Sequence, residues 1–240
     1  MYMVSGLRSV VTDGELNDTE QRSGVRLPEA YRRFLTTYGE GTYRGVLNIT
    51  RPDTGVLGEF AEYEFWEHDE KSPISREQIE QCVVVGTSID GDFLAVSSEA
   101  DGLLWLPRHS DRISLDQVHE LELFQAFLNR KIAEVYESSP AEPAYFEPWH
   151  GQTQHAFFLL DKYRFTLPEL APLVKAQFGA DLYISDEYSA QIFLQSLGGY
   201  LRLNYANGVE VAVFYEQGRE TLFQQIADFL ENHGCREHRQ

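Results

Sequence analysis

Between Gln81 and Pro107 the chain sets three short apolar runs against two turn signals, and no other feature restricts its fold as tightly. Gln81–Gly86, Phe93–Ser97 and Leu103–Pro107 read as strands, and Ser88–Gly91 and Ala100–Gly102 read as the turns between them. Connections this short join antiparallel neighbours, because a parallel crossover needs a dozen residues or more. An antiparallel meander is therefore expected, and the flanking segments must cover it.

Two of those segments carry helical periodicity. In Leu27–Gly39, Tyr31, Phe34, Leu35 and Tyr38 fall at i, i+3, i+4 and i+7, with Pro28 suited to the start and Gly39 to the stop. Leu121, Phe124, Phe127, Leu128 and Ile132 also recur at helical spacing. Tyr43–Thr50 reads as one strand and Arg112–Val118 as a short one, while 54–70 is ambiguous between helix and irregular structure. Residues 138–154 lose periodicity and carry three prolines, so they read as a linker or wrapping loop. Beyond them, 155–160 reads as a strand and Thr166 as the N-cap of a helix containing Pro172. Strands follow at 181–186, 190–196, 199–205 and 209–215, the last two joined through Asn207-Gly208 as a tight primed turn. A final helix carries Leu222, Ile226, Phe229 and Leu230 on one face.

The expected fold class is α+β, a mixed and mainly antiparallel sheet with packed helices followed by a smaller α+β C-terminal region. The expected divisions are a domain at 1–137, a connection at 138–154, a C-terminal domain or extension at 155–234 and a polar tail at 235–240. Leu-Pro-Glu, nine residues and Gly occur at 27–39 and again at 167–179. Helix-start and helix-stop chemistry explains such a coincidence without a duplication.

Charge narrows the partners. The formal net charge of −18 repels phosphate backbones and anionic lipid, so direct nucleic-acid or membrane binding is not expected, whereas a basic protein would be attracted. With 42% hydrophobic residues the chain can build a core. Cys82 and Cys235 do not form a disulfide framework, the N-terminal residues lack a signal-peptide core, and no apolar run is long enough to span a bilayer. A cytoplasmic location is the default expectation.

Motifs for chemistry are scarce. Asp90-Gly91-Asp92 resembles the start of a calcium loop, but Phe93, Leu94, Ala95 and Val96 occupy the positions where oxygen ligands should stand. Two carboxylates across one glycine do not establish an acid/base pair either. A turn that launches a strand fits the residues better. The seven histidines show no metal-binding spacing, Ser88 lacks the glycine that a nucleophile elbow needs, and no phosphate-cradling glycine loop occurs. No catalytic, metal or cofactor residue is assigned.

The most distinctive stretch is Glu59–Glu70, where six carboxylates interleave with Phe60, Tyr63, Phe65 and Trp66. Aromatic anchors beside negative charge suit a protein interface. The expected partner-binding residues are Glu59, Glu62, Glu64, Trp66, Glu67, Asp69 and Glu70, with Arg108 and His109 on a nearby polar loop. The plainer alternative is that the rings face the core and the acids are merely solvated.

Taken together, Glu20 and Gly24, Leu27-Pro28 with Tyr31, Phe34 and Leu35, Gly39-Glu40-Gly41, Val85-Gly86, Gly91-Asp92 with Leu94, Ala95 and Val96, Leu104-Trp105 with His109, and Phe124 with Phe127-Leu128 resemble the SUKH superfamily over roughly residues 15–135. The family usually has Asn-Gly-Gly where Gly39-Glu40-Gly41 stands. The resemblance implies a compact α+β domain without catalytic residues. It also implies a role like that of bacterial immunity proteins, which bind a cognate toxin, often a nuclease, or like that of cell-wall-synthesis regulators of the same superfamily. An uncharacterised enzyme is the remaining alternative, and a pocket uniting Asp92, Arg108 and His109 would favour it.

Overall fold

The computed structural model describes residues 1–60, 63, 65–110, 112–117, 121–137, 143–161 and 165–238, with backbone only at 121–123. It divides into two compact units: Arg8–Trp149, and Met1–Leu7 together with His150–Gln240. The architecture is α+β with mainly antiparallel sheets, as the sequence predicts. Among the described residues no helix is long and apolar enough to cross a membrane.

After a two-residue strand β1 (Tyr2–Met3), which belongs to the second unit, the first unit opens with α1 (Asp13–Ser23) and α2 (Glu29–Tyr38). Next come β2 (Gly41–Tyr43), β3 (Leu47–Asp53), α3 (Val56–Phe60), α4 (Arg76–Ile79), β4 (Val83–Ser88), β5 (Phe93–Val96), β6 (Leu103–Leu106), β7 (Ser114–Asp116), α5 (Leu121–Tyr136) and β8 (Tyr145–Pro148). The strands of this unit lie in the order β8-β2-β3-β4-β5-β6-β7 and pair antiparallel. The meander is β4-β5-β6.

Its strands are buried on both faces, which is why they read as continuous apolar runs. On one face, Phe34 of α2 meets Phe124 of α5 edge-on at 5.3 Å and Phe146 of β8 at 5.2 Å. On the other, Leu57, Trp66, Ile74 and Ile79 pack on Cys82, Val84, Ala95, Leu104 and Leu106. Leu57 and Trp66 of the ambiguous segment after β3 thus help to cover the second face. Gly86 stands where β3 comes closest, and a Cβ there would lie 2.6 Å from the Asn48 carbonyl oxygen.

Two local expectations change in this unit, and one element is new. Residues 43–50 are not one strand: Arg44 and Gly45, both at positive φ, reverse the chain, and Val46 N–H donates to the Tyr43 carbonyl at 3.1 Å, giving the β2–β3 hairpin. The stretch read as a linker or wrapping loop contains β8, whose main chain pairs with β2. The helix α1 had no forecast at all.

In the second unit β9 (Thr153–Leu160), α6 (Leu167–Phe178), β10 (Leu182–Ser185), β11 (Ser189–Leu194), β12 (Gly199–Asn204), β13 (Glu210–Glu216), α7 (Glu220–Asn232) and β14 (Cys235–His238) follow in turn. The sheet order is β10-β11-β12-β13-β9-β14. Leu167, Leu170, Ala171 and Val174 of α6 and Ile226 and Leu230 of α7 cover one sheet face, including Phe158, Ile192, Leu201 and Val213. Asn207-Gly208 is not a two-residue turn, since Asn204 pairs with Glu210 and five residues intervene. Asn207 stays at negative φ and uses its side-chain oxygen to accept the N–H groups of Val209 and Glu210 at 3.1 Å each. Of the stretch read as a polar tail, Cys235–His238 form β14, which bonds through the main chain to β9.

Candidate functional site

The Asp90-Gly91-Asp92 loop between β4 and β5 is built from local hydrogen bonds. Ser88 N–H donates to the Asp92 carbonyl at 3.0 Å, and the Ser88 hydroxyl donates to Asp92 Oδ2 at 2.5 Å while accepting Asp92 N–H at 3.0 Å. Gly91 turns the chain at φ 94°. Asp92 Oδ1 accepts the main-chain N–H of Arg108 at 2.8 Å, fastening the end of β6 to this turn. Both Asp92 oxygens are engaged and the residue is 4% exposed, so the carboxylate serves the fold. No cluster of three metal-ligating side chains occurs among the described residues.

Beside that turn lies an open cavity of about 470 Å³. Phe60, Phe65, Trp66 and Phe93 supply its rings, Pro107 and Gly91 complete the wall, and Arg108 and His109 stand with them. The rings contact one another, Phe60 with Phe93 at 5.1 Å and with Phe65 at 5.9 Å, and Phe65 with Trp66 at 5.9 Å. Trp66 is anchored because its indole N–H donates to the Pro107 carbonyl at 2.7 Å, which makes it a buried floor. Phe65 and Tyr63, 52% and 60% exposed, face solvent. Arg108 lies along Gly91 and donates from Nη1 to the Asp90 carbonyl at 3.1 Å.

The acidic residues divide. Glu59 and Glu70 are exposed. Glu67 and Asp69 both face Arg112, at 3.3 and 3.8 Å. Asp69 also accepts the Lys71 N–H at 2.8 Å, and that bond first, then Arg112 and Ser72, holds its carboxyl below the ordinary range. Glu62 and Glu64 lie outside the described residues. The fold therefore brings Trp66, Arg108 and His109 to one cavity. Phe93 and Pro107, which were not singled out in the sequence, join them, and their only signal was adjacency to the Asp90-Gly91-Asp92 turn and to the Arg108-His109 loop. Asp92 does not line the cavity itself; its carboxylate lies behind the wall, holding the Arg108 main chain.

A compact α+β domain with a central antiparallel sheet, covered by helices on one face and by a short-helix segment on the other, defines the class. The chain belongs to the SMI1 / KNR4 family (SUKH-1), whose model matches residues 10–129, half of the 240-residue chain and most of the first unit. Comparison with curated proteins and with solved structures gives no match.

Proposed function

We propose that this SUKH-domain protein is a non-catalytic binding module, an immunity protein that captures and neutralises a cognate secreted toxin in the cytoplasm. The observation that supports this most is the pairing, in a chain of net charge −18, of an acidic segment with an open aromatic cavity, while the Asp92 carboxylate is taken up by bonds within the fold. A toxin that grips a polyanion, such as a nuclease, presents a basic cleft. A strongly negative binder steers toward that cleft, raising association from about 10⁵–10⁶ toward 10⁸–10⁹ M⁻¹s⁻¹ at low salt. Inhibition then needs only a complementary surface, with no cofactor and no direct nucleic-acid contact.

The test is co-expression with the product of the adjacent reading frame, followed by association kinetics at several salt concentrations. Growth protection and an association rate that falls steeply with salt are expected. Replacing Glu59, Glu67 and Glu70 by lysine should slow association about tenfold or more and flatten its salt dependence. Absence of protection, or an association rate untouched by charge reversal, would refute this function or this face respectively.

A further inference from the structure

We infer that the cavity walled by Phe60, Phe65, Trp66 and Phe93 is an anchor site for one large uncharged side chain, aromatic or branched aliphatic, carried between basic residues of a protein partner. The inference rests on the partner-binding role proposed above and specifies what enters the face.

Three observations select this occupant. First, the cavity of about 470 Å³ falls within the ~300–1,000 Å³ of typical binding clefts and is lined mostly by rings. Its floor, Trp66, has its only polar group already bonded to Pro107, so the floor offers contact area and no free donor. Second, the cation fixed in the wall is Arg108. Its position is set by Gly91, where a Cβ would press within 3.2 Å of Arg108 Cδ and Nη1, and by the bond to the Asp90 carbonyl. A lysine or arginine entering the cavity would meet that guanidinium. Third, the net charge of −18 and Glu59, exposed in the same segment, oppose a carboxylate, and the Arg108 guanidinium that would receive it already donates to the Asp90 carbonyl. A neutral apolar group escapes both penalties, and basic residues on either side of it complement the surrounding charge. Half-exposed Phe65 then gains partner contact on its free side, the arrangement in which interface hot spots concentrate.

The experiment uses the full chain and two capped pentapeptides, one with tryptophan between lysine pairs and one with alanine in its place. Binding is followed through the indole N–H resonance of Trp66. The tryptophan peptide should bind roughly tenfold tighter and shift that resonance, and Phe65→Ser should abolish the preference. Phe65 is exposed enough for the variant to fold, and unchanged dispersion of the remaining amide resonances verifies it. Equal affinities for the two peptides, or an unaltered preference in Phe65→Ser, would overturn the inference. So would a Trp66 shift caused by concentrating the protein alone, which would make a second copy the occupant. The alanine peptide reads the acidic face separately. If its salt-sensitive binding persists without a tryptophan preference, only the anchor site fails; if neither peptide binds in a charge-dependent way, the partner-binding face fails.

Discussion

Asp92 accepts the main-chain N–H of Arg108, sixteen residues away, at 2.8 Å, with its other oxygen on the Ser88 hydroxyl. One carboxylate thus couples the β4–β5 turn to the end of β6, and with it the placement of Pro107 and Arg108 at the cavity. Removing it strands buried donors. Asp92→Ala should destabilise the chain by about 3 kcal/mol, and Asp92→Asn by about 1–2 kcal/mol, because an amide can accept only one of the two bonds. Urea unfolding measures both. A wild-type midpoint for Asp92→Ala would show that the clamp carries no stability.

Much of this was legible in sequence, because the meander, α2, α5 and α7 are written in local signals: continuous apolar runs, turn residues, and apolar positions at helical spacing. Helix α1 escaped because only Leu16 and Thr19 of its residues are buried, which leaves no apolar stripe to detect. Its capping pair, Thr12 and Glu15, was nevertheless present to be read. Strands β8 and β14 escaped for a different reason. They are short, and β14 beyond Cys235 is polar and exposed, so their pairing depends on partners distant in sequence. At the candidate site the aromatic and acidic character of 59–70 was visible. The burial of Trp66 was not, since it depends on a carbonyl 41 residues away.

The α1 cap sets an acid response. The Glu15 carboxyl is drawn from the ordinary 4.5 to about 2, first by the Thr12 main-chain N–H, then by the Thr12 hydroxyl and the Arg51 guanidinium. A folded value below the unfolded one means the stabilisation is full above about pH 4.5 and is lost as pH falls toward about 2. Glu15→Gln should therefore flatten the stability–pH curve across that window and leave its shape unchanged at neutral pH. Identical acid limbs for the two proteins would contradict the assignment.

Both thiols are predicted to be inert in the folded chain. Burial pushes Cys82 up to about 11 and Cys235 up to about 12, and the residues are 1% and 2% exposed. Neither forms a thiolate at neutral pH, and the thiolate is the reactive species. Ellman's reagent should find no thiol under native conditions and both after unfolding in guanidinium. Rapid labelling of either in the native state would place it at the surface.

Thr166 and Glu169 form a capping box at the start of α6, in which the Thr166 side chain faces the Glu169 main-chain N–H and the Thr166 hydroxyl and main-chain N–H donate to Glu169 Oε2 at 2.9 and 2.8 Å. The matching Leu-Pro-Glu helix α2 begins two residues later relative to that tripeptide, because Arg26 stands where Thr166 does and offers no cap. Thr166→Ala should cost about 1 kcal/mol and expose the first turn of α6 to hydrogen exchange. Unchanged protection at Leu170 would mean that packing alone holds that end.

The first seven residues fold with 150–240, and their attachment is specific. Tyr2 meets Phe193 edge-on at 5.7 Å, and the Ser5 hydroxyl donates to the carboxylate of Glu216, which is 6% exposed. Gly198 belongs to the same joint, since a Cβ there would collide with the Glu216 carboxyl group. Losing the hydroxyl leaves a buried carboxylate short of a donor, with Arg219 3.9 Å away as its nearest cation. Ser5→Ala should therefore destabilise the second unit by about 1.5–3 kcal/mol. Pairing it with Glu216→Gln, which removes the charge that needs the donor, should recover part of that loss. Hydrogen exchange along β13 follows both effects locally, with protection falling in Ser5→Ala and rising again in the double variant. If β13 exchanges at the same rate in all three proteins, the N-terminal residues lie against this unit without supporting it.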